Sequence, residues 1–313
     1  MEKNNNTPLV AVFMISYNQQ DYITEALESV LNQETDFRFQ VILSDDCSTD
    51  YTKNRITDFL ENHPKKDWVT FISQNKNLGW IPNFIFTLQK CQDSGAKYIA
   101  MCEGDDFWTN PDKLQKQINL LESNDNIVLA CHRYKELYSN GKTRDCPFFR
   151  KDFFSGKNQF LFTQKDFELS MRIQTMTIVF RSSALDLALR HKYQYYCDTH
   201  IKHHILDHGS GIYTYDIDAV YRIHGKNVFV SQKDRERIKF TYDVYNDLII
   251  NNNSKNYIPL LNIAMRQRIS MELKNHKRNF FNLYYQKLLC QQFKDVKSLP
   301  LFIKNQIKGI LNF

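Results

Sequence analysis

The sequence predicts an α/β fold, in which a mostly parallel, doubly wound sheet has helices on both faces and is followed by a C-terminal helical extension. Short apolar runs alternate with amphipathic helical segments through residues 9–125, which is the pattern of βαβ units. The runs are apolar at successive positions, as in strands that are buried on both faces. Beyond residue 232 the apolar residues recur at helical spacing.

The first half of the chain contains four predicted strands and four predicted helices. The strands cover residues 9–15, 39–43, 69–72 and 98–102. The helices lie around residues 23–31, 56–60, 81–91 and 114–121, where apolar side chains recur every three or four positions. Pro111 precedes the fourth helix, and proline is favoured in a first helical turn. The predicted order is therefore βαβαβαβα.

The second half is less regular. Strands are predicted at residues 127–130, 177–181, 211–215 and 219–225, and helices at residues 183–191 and after Asp198. Residues 133–160 mix aromatic and basic side chains and are predicted to form a loop or hairpin excursion. Residues 233–313 are predicted to be helical, with a break at residues 251–254.

Polar clusters follow all four strands of the first half, at residues 16–18, 45–50, 75–79 and 103–106. The carboxyl ends of parallel strands meet at one edge of the sheet, and ligands of such sheets bind there. The four clusters are therefore predicted to form one site.

The most informative cluster is the acidic segment that contains Glu103, Asp105 and Asp106. Carboxylates this close repel one another, and burying them is costly unless a cation or hydrogen-bond donors compensate. A divalent metal that carries phosphates is the expected compensation, and oxygen ligands of this kind suit Mg²⁺ or Mn²⁺. The alternative is an acidic turn that caps the next helix, with Asp105 or Asp106 near its N-terminus.

Composition limits the class of protein. The 313 residues allow one large α/β domain with additions, or two domains. The seven scattered cysteines form no CxxC pair, so reduced thiols in a cytosolic protein are expected. The polar N-terminus predicts no signal peptide, and no apolar run approaches the roughly 20 residues of a membrane helix. We therefore expect a cytoplasmic location. The net charge of +6 permits anionic partners without selecting one.

Five segments, taken in order, resemble the family 2 glycosyltransferases of the GT-A fold. They are residues 15–18, 45–50, 77–79, 103–108 with the nearby Lys113, Leu114 and Gln117, and 221–225. The resemblance runs from about residue 8 to 231. It implies a catalytic domain at residues 1–232, with a nucleotide-sugar half at about 8–125 and an acceptor half at about 126–232. Residues 233–313 would form a separate helical region.

The resemblance implies transfer of a sugar, with inversion, from a nucleotide-diphosphate donor to a hydroxyl of a glycan or lipid-linked acceptor. Bacterial surface polysaccharide synthesis is the expected setting. Tyr17 would place its ring beside the base, and Asp46 would accept from N3 of uracil, as in members that use uridine. UDP is the expected nucleotide from the family alone. The implied donor-binding residues are Ser16, Tyr17, Asn18, Asp45, Asp46, Asn77, Gly79, Glu103, Asp105 and Arg222.

The family's DxD motif implies a Mn²⁺ or Mg²⁺ ion held by Asp105, Asp106 and His224. Glu103 replaces the usual first aspartate and the second is doubled, so either Asp105 or Asp106 can be the main ligand. His224 would add a metal or phosphate contact, and its alternative is a structural role. Arg222, like Arg181, either meets the diphosphate or pairs with carboxylates on the rim.

Asp198 matches the position of the family's catalytic base, at the start of a helix. Such a base removes the proton of the acceptor hydroxyl. The alternative role is a helix N-cap, because aspartate is favoured there. Cys197 stands where the family has an acidic neighbour.

Three further features have two interpretations each. His200, His203, His204 and His208 suggest zinc, but no cysteine or second acidic segment completes a ligand set, so a His-rich helix over the acceptor side is expected. Trp80 and Trp108 either stack on a sugar or close the core. Residues 301–311, apolar on one face and flanked by lysines, either lie on a membrane surface or pack on protein.

Two rival functions remain. A nucleotide-sugar-binding protein with impaired catalysis is motivated by Glu103 and by Cys197. A nucleic-acid-binding module is motivated only by the basic net charge, and the absence of a clustered Arg/Lys stripe counts against it. We therefore expect no nucleic-acid partner, and peripheral membrane contact only through the C-terminal helices.

Overall fold

A computed structural model of the chain describes residues 7–146, 156–171, 173–225, 234–251 and 258–275. The strands are β1 (Val10–Ser16), β2 (Phe39–Asp45), β3 (Val69–Ser73), β4 (Tyr98–Met101), β5 (Phe107–Trp108), β6 (Ile127–Tyr138), β7 (Thr143–Asp145), β8 (Gln159–Phe162), β9 (Val179–Arg181) and β10 (Ser210–Ile223). The α-helices are α1 (Ile23–Leu31), α2 (Thr52–Asn62), α3 (Trp80–Asp93), α4 (Lys113–Glu122), α5 (Gln164–Ser170), α6 (Asp198–Ile205), α7 (Asp234–Asn251) and α8 (Ile258–Asn275).

The strands form one mixed sheet in the order β3-β2-β1-β4-β9-β6-β10-β5, with β7 beside β6 and β8 beside β10. β3, β2, β1 and β4 are parallel, and this half of the sheet confirms the predicted βα alternation. Alternate residues of β1 face opposite layers: Val12 packs with Leu27 of α1, whereas Phe13 packs with Phe84 of α3. Because both faces are covered, the strand is apolar at nearly every position.

The second half of the sheet is mixed, unlike the mostly parallel sheet that was predicted. β9 is antiparallel to both β4 and β6, whereas β10 is parallel to β6. The two strands predicted at residues 211–215 and 219–225 are one strand, β10, whose register with β6 shifts between Thr214 and Val220. The strand predicted at residues 127–130 continues to Tyr138 as β6 and turns into β7, so part of the predicted excursion is a hairpin.

The helix predicted at residues 183–191 is two short 3₁₀ segments, Ser182–Ala184 and Leu187–Lys192. Between them the Asp186 side chain accepts from the Ala188 backbone N–H (2.9 Å). A side chain that bonds nearby backbone in this way competes with the α-helical ladder, which accounts for the difference.

The helices after the sheet form a small core of their own. Ile238 and Leu248 of α7 pack with Leu261 and Met265 of α8. The Asp247 side chain of α7 accepts from the backbone N–H groups of Gln194 and Tyr195, which lie in the segment before α6. Among the described residues, no helix is both long and apolar enough to cross a membrane. The predicted helices around residues 280–289 and 301–311 lie outside the described residues.

Candidate active site

The polar clusters after β1, β2, β3 and β4 meet at one edge of the sheet, as predicted. Ser16 pairs with Asp45 in the register of β1 and β2, and Asp45 pairs with Ser73 in that of β2 and β3. The backbone N–H of Gly104, after β4, donates to the carbonyl of Ile15 (2.9 Å). Parallel strands with aligned ends therefore place the four loops side by side.

Asp45 fixes the loop after β2. Its Oδ1 accepts from the hydroxyls of Ser16 (3.0 Å) and Ser48 (2.5 Å), and its Oδ2 accepts from the Ser48 backbone N–H (2.9 Å). The residue is fully buried. Charge-assisted bonds of this kind are among the stronger hydrogen bonds in proteins. The contacts of Asp45 are thus those of a residue that shapes the site.

Asp46 holds the loop after β3. Its Oδ1 accepts from the Leu78 backbone N–H (2.7 Å) and its Oδ2 from that of Gly79 (3.0 Å). The Asn77 side chain accepts from the same Gly79 N–H (3.0 Å). Gly79 has φ +88, a conformation that side chains disfavour. Each carboxylate oxygen of Asp46 keeps a second lone pair for another donor.

The turns after β1 and β2 are strained. Asn18 (φ 52) and Cys47 (φ 59) are the two non-glycine residues of the described ranges with positive φ. Such outliers cluster at functional sites, where the surrounding structure holds them in place. The Asn18 backbone N–H donates to the Ser48 hydroxyl (2.9 Å), and its side chain accepts from the Thr49 backbone (2.8 Å). Beside them the Tyr17 side chain is 44% exposed and presents its ring to solvent.

Gly104 lies where no larger residue fits. A Cβ at this position would meet the Gln19 side chain at 2.5 Å, Ile23 at 2.7 Å and the Ile15 carbonyl at 3.0 Å. The glycine lets the acidic segment pack directly against the end of β1 and the start of α1. This contact brings Glu103 and Asp105 into the same edge as the other loops.

Replacing Gly104 with alanine is expected to lower the free energy of unfolding by about 1–3 kcal/mol, the usual cost of overpacking. Urea unfolding followed by circular dichroism measures the change. Gly225→Ala is the matched control, because no atom of the described residues lies within 4 Å of a Cβ there. Equal midpoints for the two variants would contradict the close packing of the acidic segment.

The three carboxylates of the acidic segment differ in exposure. Asp106 is fully buried, and its Oδ1 accepts from the Arg222 backbone N–H (2.9 Å). Burial and the charges of Asp105 and Glu103 raise the pKa of Asp106 well above its ordinary value. Burial and the charges of Asp105 and Asp198 raise the pKa of Glu103 to about 8. Burial and mutual repulsion therefore disfavour the simultaneous ionisation of these carboxyl groups unless a cation lies beside them, as expected of a cation site.

His224 and Arg222 come from the end of β10. His224 stacks on Tyr22 (ring centroids 4.5 Å apart), and its Nε2 lies 3.0 Å from Asp105 Oδ2. The Arg222 guanidinium donates to the Asp105 carbonyl (2.8 Å) and forms an ion pair with Glu25 of α1. Of the two roles predicted for Arg222, contact with the diphosphate or pairing with carboxylates on the rim, the structure shows contacts of the second kind.

The charge of Asp198 is among the causes that raise the pKa of Glu103, so the two carboxyl groups are near enough to interact electrostatically. Lys202, one turn further along α6, donates to Asp198 Oδ2 (2.5 Å) and to the Ile173 carbonyl (2.8 Å). Burial alone would raise the pKa of Asp198, but Lys202 and the Thr199 backbone N–H bring it below its ordinary value. The N-cap of α6 is Cys197, so Asp198 does not occupy the cap position.

The residues that follow the acidic segment have structural contacts. Trp108 is buried, and its indole N–H donates to a backbone carbonyl (2.9 Å). The Lys113 Nζ lies 3.7 Å from the centroid of the Trp108 ring, and Gln117 donates to the carbonyls of Ala130 (3.0 Å) and Thr177 (2.9 Å). Of the two interpretations, Trp108 therefore has the contacts of a core residue.

Arg181 lies away from the site. It pairs with Tyr98, the first residue of β4, at the opposite end of the strand from the acidic segment. Its guanidinium donates to the carbonyls of Ile127 (2.9 Å) and Leu121 (2.5 Å). Arg181 also forms an ion pair with the exposed Asp125 (3.4 Å). Contact with a diphosphate at the site edge is therefore not available to it.

Sequence reasoning missed three residues of the site: Tyr22, Glu25 and Lys202. Tyr22 and Glu25 are distant in sequence from the residues they contact, so no local pattern indicates them. Lys202 had a local signal, because a lysine four residues after an aspartate shares its helix face.

The donor set of the acidic segment fits a divalent cation. Asp106 Oδ2 is buried and has no hydrogen-bond partner within the described ranges. Asp105 Oδ2 and His224 Nε2 are 3.0 Å apart, a separation that suits two ligands of one ion at about 2.1 Å each. The Asp105 side chain is 14% exposed, so it faces the open side of the segment, whereas Asp106 lies beneath it.

Comparison with known proteins indicates the family of the chain. The family model described as glycosyl transferase family 2 matches residues 11–187. The putative teichuronic acid biosynthesis glycosyltransferase TuaG of Bacillus subtilis is 35% identical over 117 residues, which are 36% of this chain and 42% of TuaG. Chondroitin synthase of Escherichia coli is 37% identical over 125 residues, 40% of this chain and 16% of the synthase. The matches thus span less than half of these relatives.

Solved structures share the fold. S. aureus TarS 1–349 in complex with UDP-GlcNAc has a TM-score of 0.62 at 15% identity, and the match covers 92% of this chain and 80% of TarS 1–349. The mannosyltransferase PcManGT from Pyrobaculum calidifontis, in complex with GDP-Man and Mn²⁺, has a TM-score of 0.55 at 15% identity, with 97% and 88% covered. The GT-A fold expected from the sequence is thereby confirmed. Since the family model covers more than half of the residues, the chain belongs to glycosyl transferase family 2.

Proposed function

We propose that the protein is a metal-dependent, inverting glycosyltransferase that uses a nucleotide-diphosphate sugar, in the first place a UDP-sugar. The acceptor is a hydroxyl of a glycan or lipid-linked saccharide in bacterial surface polysaccharide synthesis, at the cytoplasmic face of the membrane. The observation that supports this most is the meeting of four loops around the acidic segment, with Asp198 close by.

The nucleotide lies along the loops after β1, β2 and β3 in this proposal. The exposed Tyr17 ring stacks on the base, and Asp46 uses its spare lone pairs to accept from it. Ser16, Asn18 and Asp45 keep the two strained turns in shape, and Asn77 and Gly79 form the third wall. The TarS structure with UDP-GlcNAc supports a uridine nucleotide for this fold.

Asp105 and His224 hold Mn²⁺ or Mg²⁺ in this proposal. The bound ion neutralises the charge of the leaving diphosphate. Asp106 is buried next to Asp105 in the chain, and the partly exposed Glu103 precedes Asp105 by two residues; a bound cation would favour the ionised form of both carboxyl groups. Asp106 also fixes the backbone of Arg222, which precedes His224 by two residues. The PcManGT structure with Mn²⁺ supports a divalent ion in proteins of this fold.

Asp198 is the proposed base. An inverting transfer needs one group that takes the proton of the acceptor hydroxyl as that oxygen attacks the anomeric carbon. Lys202 keeps Asp198 ionised and holds it in one orientation, although Glu103 lies near it with a raised pKa. Lys202 is therefore a positioning residue in this mechanism.

Replacing Lys202 with methionine is expected to move the acidic limb of the pH–rate profile to higher pH by about one unit or more, since a neighbouring cation lowers a carboxyl pKa by about 1–3 units. The sign follows because the lowering by Lys202 is lost while the burial that raises the pKa of Asp198 remains. Activity at fixed donor and acceptor, measured across pH, tests this. Lys90→Met, which breaks an exposed pair with Asp93, is the control. Coincident profiles for wild type and Lys202→Met would contradict the pairing role.

A panel of UDP- and GDP-sugars, incubated with the protein and Mn²⁺, tests the proposed activity through release of the free nucleotide diphosphate. One donor is expected to be turned over, and a chelator is expected to stop the reaction. Release that continues in the chelator would contradict metal dependence. If no donor is turned over although UDP binds, the second candidate function is favoured.

That second candidate is a nucleotide-sugar-binding protein with impaired catalysis. The observation in its favour is that Lys202 holds the pKa of Asp198 below its ordinary value, which makes the carboxylate a weaker base. The acidic neighbour usual in the family is also absent, since Cys197 occupies its position. Binding of a donor without turnover, in wild type and Asp198→Asn alike, would support it.

A further inference from the structure

The end of α6 carries a second cluster of side chains that can ligate a metal. His203, His204 and Asp207 each offer one atom, and the three atoms lie within 4.8 Å of one another. From the sequence these histidines lacked an acidic partner. Asp207 supplies it, because the chain turns just past the end of α6.

The separation of two of these atoms suits a tetrahedral ion. His204 Nδ1 lies 3.3 Å from Asp207 Oδ2. Two ligands at about 2.0–2.1 Å from a tetrahedral Zn²⁺ are about 3.3 Å apart. Asp207 is exposed and His204 is partly exposed, so an ion can reach the cluster from solvent. The buried His203 closes the inner side.

Neighbouring residues hold the other atoms of two of these groups. The Tyr193 hydroxyl lies 2.7 Å from His204 Nε2. When Nε2 carries the proton and donates to Tyr193, the lone pair of Nδ1 points towards Asp207. The buried Gln164 side chain donates to Asp207 Oδ1 (2.7 Å) and to the His203 carbonyl (2.8 Å). Metal-ligating histidines and carboxylates are usually fixed by outer hydrogen bonds of this kind.

We propose that His203, His204 and Asp207 form a Zn²⁺ site with one position open to solvent, separate from the divalent-ion site at Asp105. Two imidazoles and one carboxylate favour zinc, whereas the oxygen-rich set of Asp105, Asp106 and His224 suits magnesium or manganese. The bound ion ties the segment at Tyr193 and helix α5 to the end of α6, whose first residue is Asp198.

Zinc titration of the full-length, chelator-treated protein against a chromophoric chelator tests the proposal. Wild type and Asp105→Asn are both expected to bind one equivalent of Zn²⁺ tightly, which separates this site from the donor site. Asp207→Asn and His204→Gln are expected to bind it at least about 100-fold more weakly, because each removes a ligand. His208→Gln, an exposed histidine of the same segment outside the cluster, is expected to match wild type.

Thermal unfolding gives a second readout. Zn²⁺ is expected to raise the unfolding midpoint of wild type and of Asp105→Asn, but not that of Asp207→Asn. Substituting Co²⁺ in wild type, which needs no variant to fold, is expected to give the visible absorption of a tetrahedral site. Absence of tight zinc binding by the folded wild type, its loss in Asp105→Asn, or its retention in both ligand variants would overturn the proposal.

Discussion

Asp198→Asn is expected to lower kcat by about 10²–10⁴-fold, the usual contribution of a general base, while donor affinity changes by less than about twofold. Asparagine has the size of aspartate but cannot take the proton of the acceptor hydroxyl. The substitution also replaces the charged acceptor of Lys202 Nζ with a neutral one. Steady-state transfer rates and calorimetric donor titrations of the same preparations measure the two effects separately.

Asp93→Asn, on the exposed end of α3, is the control for loss of one carboxylate, since its pair with Lys90 lies at the surface. Far-UV circular dichroism checks that both variants fold. Transfer by Asp198→Asn at more than about a tenth of the wild-type rate would remove Asp198 from the role of base. Glu103, whose pKa the charge of Asp198 helps to raise, would then be the next residue to test.

Asp105→Asn is expected to abolish the metal-dependent part of nucleotide binding, with affinity in Mn²⁺ falling at least about 100-fold, to that measured in chelator. The reason is that Asp105 is partly exposed, unlike Asp106, and lies beside His224. Calorimetric titration with UDP, with and without Mn²⁺, measures the change. Donor turnover is expected to fall with it.

Asp112→Asn is the matched control, because Asp112 is exposed, lies seven positions away and makes no side-chain cap bond to α4. Asp106→Asn tests which of the two aspartates is the main metal ligand, a choice that the sequence left open. That variant is expected to fold, because the asparagine side-chain oxygen can still accept from the Arg222 backbone N–H. If Asp105→Asn keeps metal-dependent binding and a folded Asp106→Asn loses it, the assignment is reversed.

The sequence predicted which loops meet at this edge of the sheet, because these loops follow buried strands. Continuous apolar runs predict β1 to β4. Parallel pairing of these strands then places the loops after them at one edge of the sheet. The positions of Ser16, Asp45 and Gly104 at that edge follow from this rule alone.

The contacts of Arg222 and His224 were harder to predict because they join distant parts of the chain. Arg222 meets Glu25 and His224 meets Tyr22, pairs about 200 residues apart, and nothing local in either segment indicates the partner. The irregular register of β10 with β6 also hides one long strand behind two apparent ones. The roles of Asp198 and His224 accordingly rested on resemblance rather than on pattern.

The local alternatives show where propensity misleads. Aspartate is a favoured N-cap, yet the cap of α6 is Cys197 and Asp198 faces Lys202. Arginine beside a predicted site suggested phosphate contact, yet Arg181 lies at the far end of its strand. For Asp198 the deciding contact is local, with Lys202 one turn along α6, whereas for Arg181 it is the antiparallel pairing of β9 with β4, which the local sequence does not indicate.

Calorimetric titration of the wild-type protein with UDP and with GDP, each with and without Mn²⁺, tests the central claim most directly. We expect micromolar binding of one nucleotide, UDP, that is lost when the metal is removed. Absence of binding to either nucleotide by the folded protein, with Mn²⁺ present, would contradict a nucleotide-sugar site at this edge of the sheet.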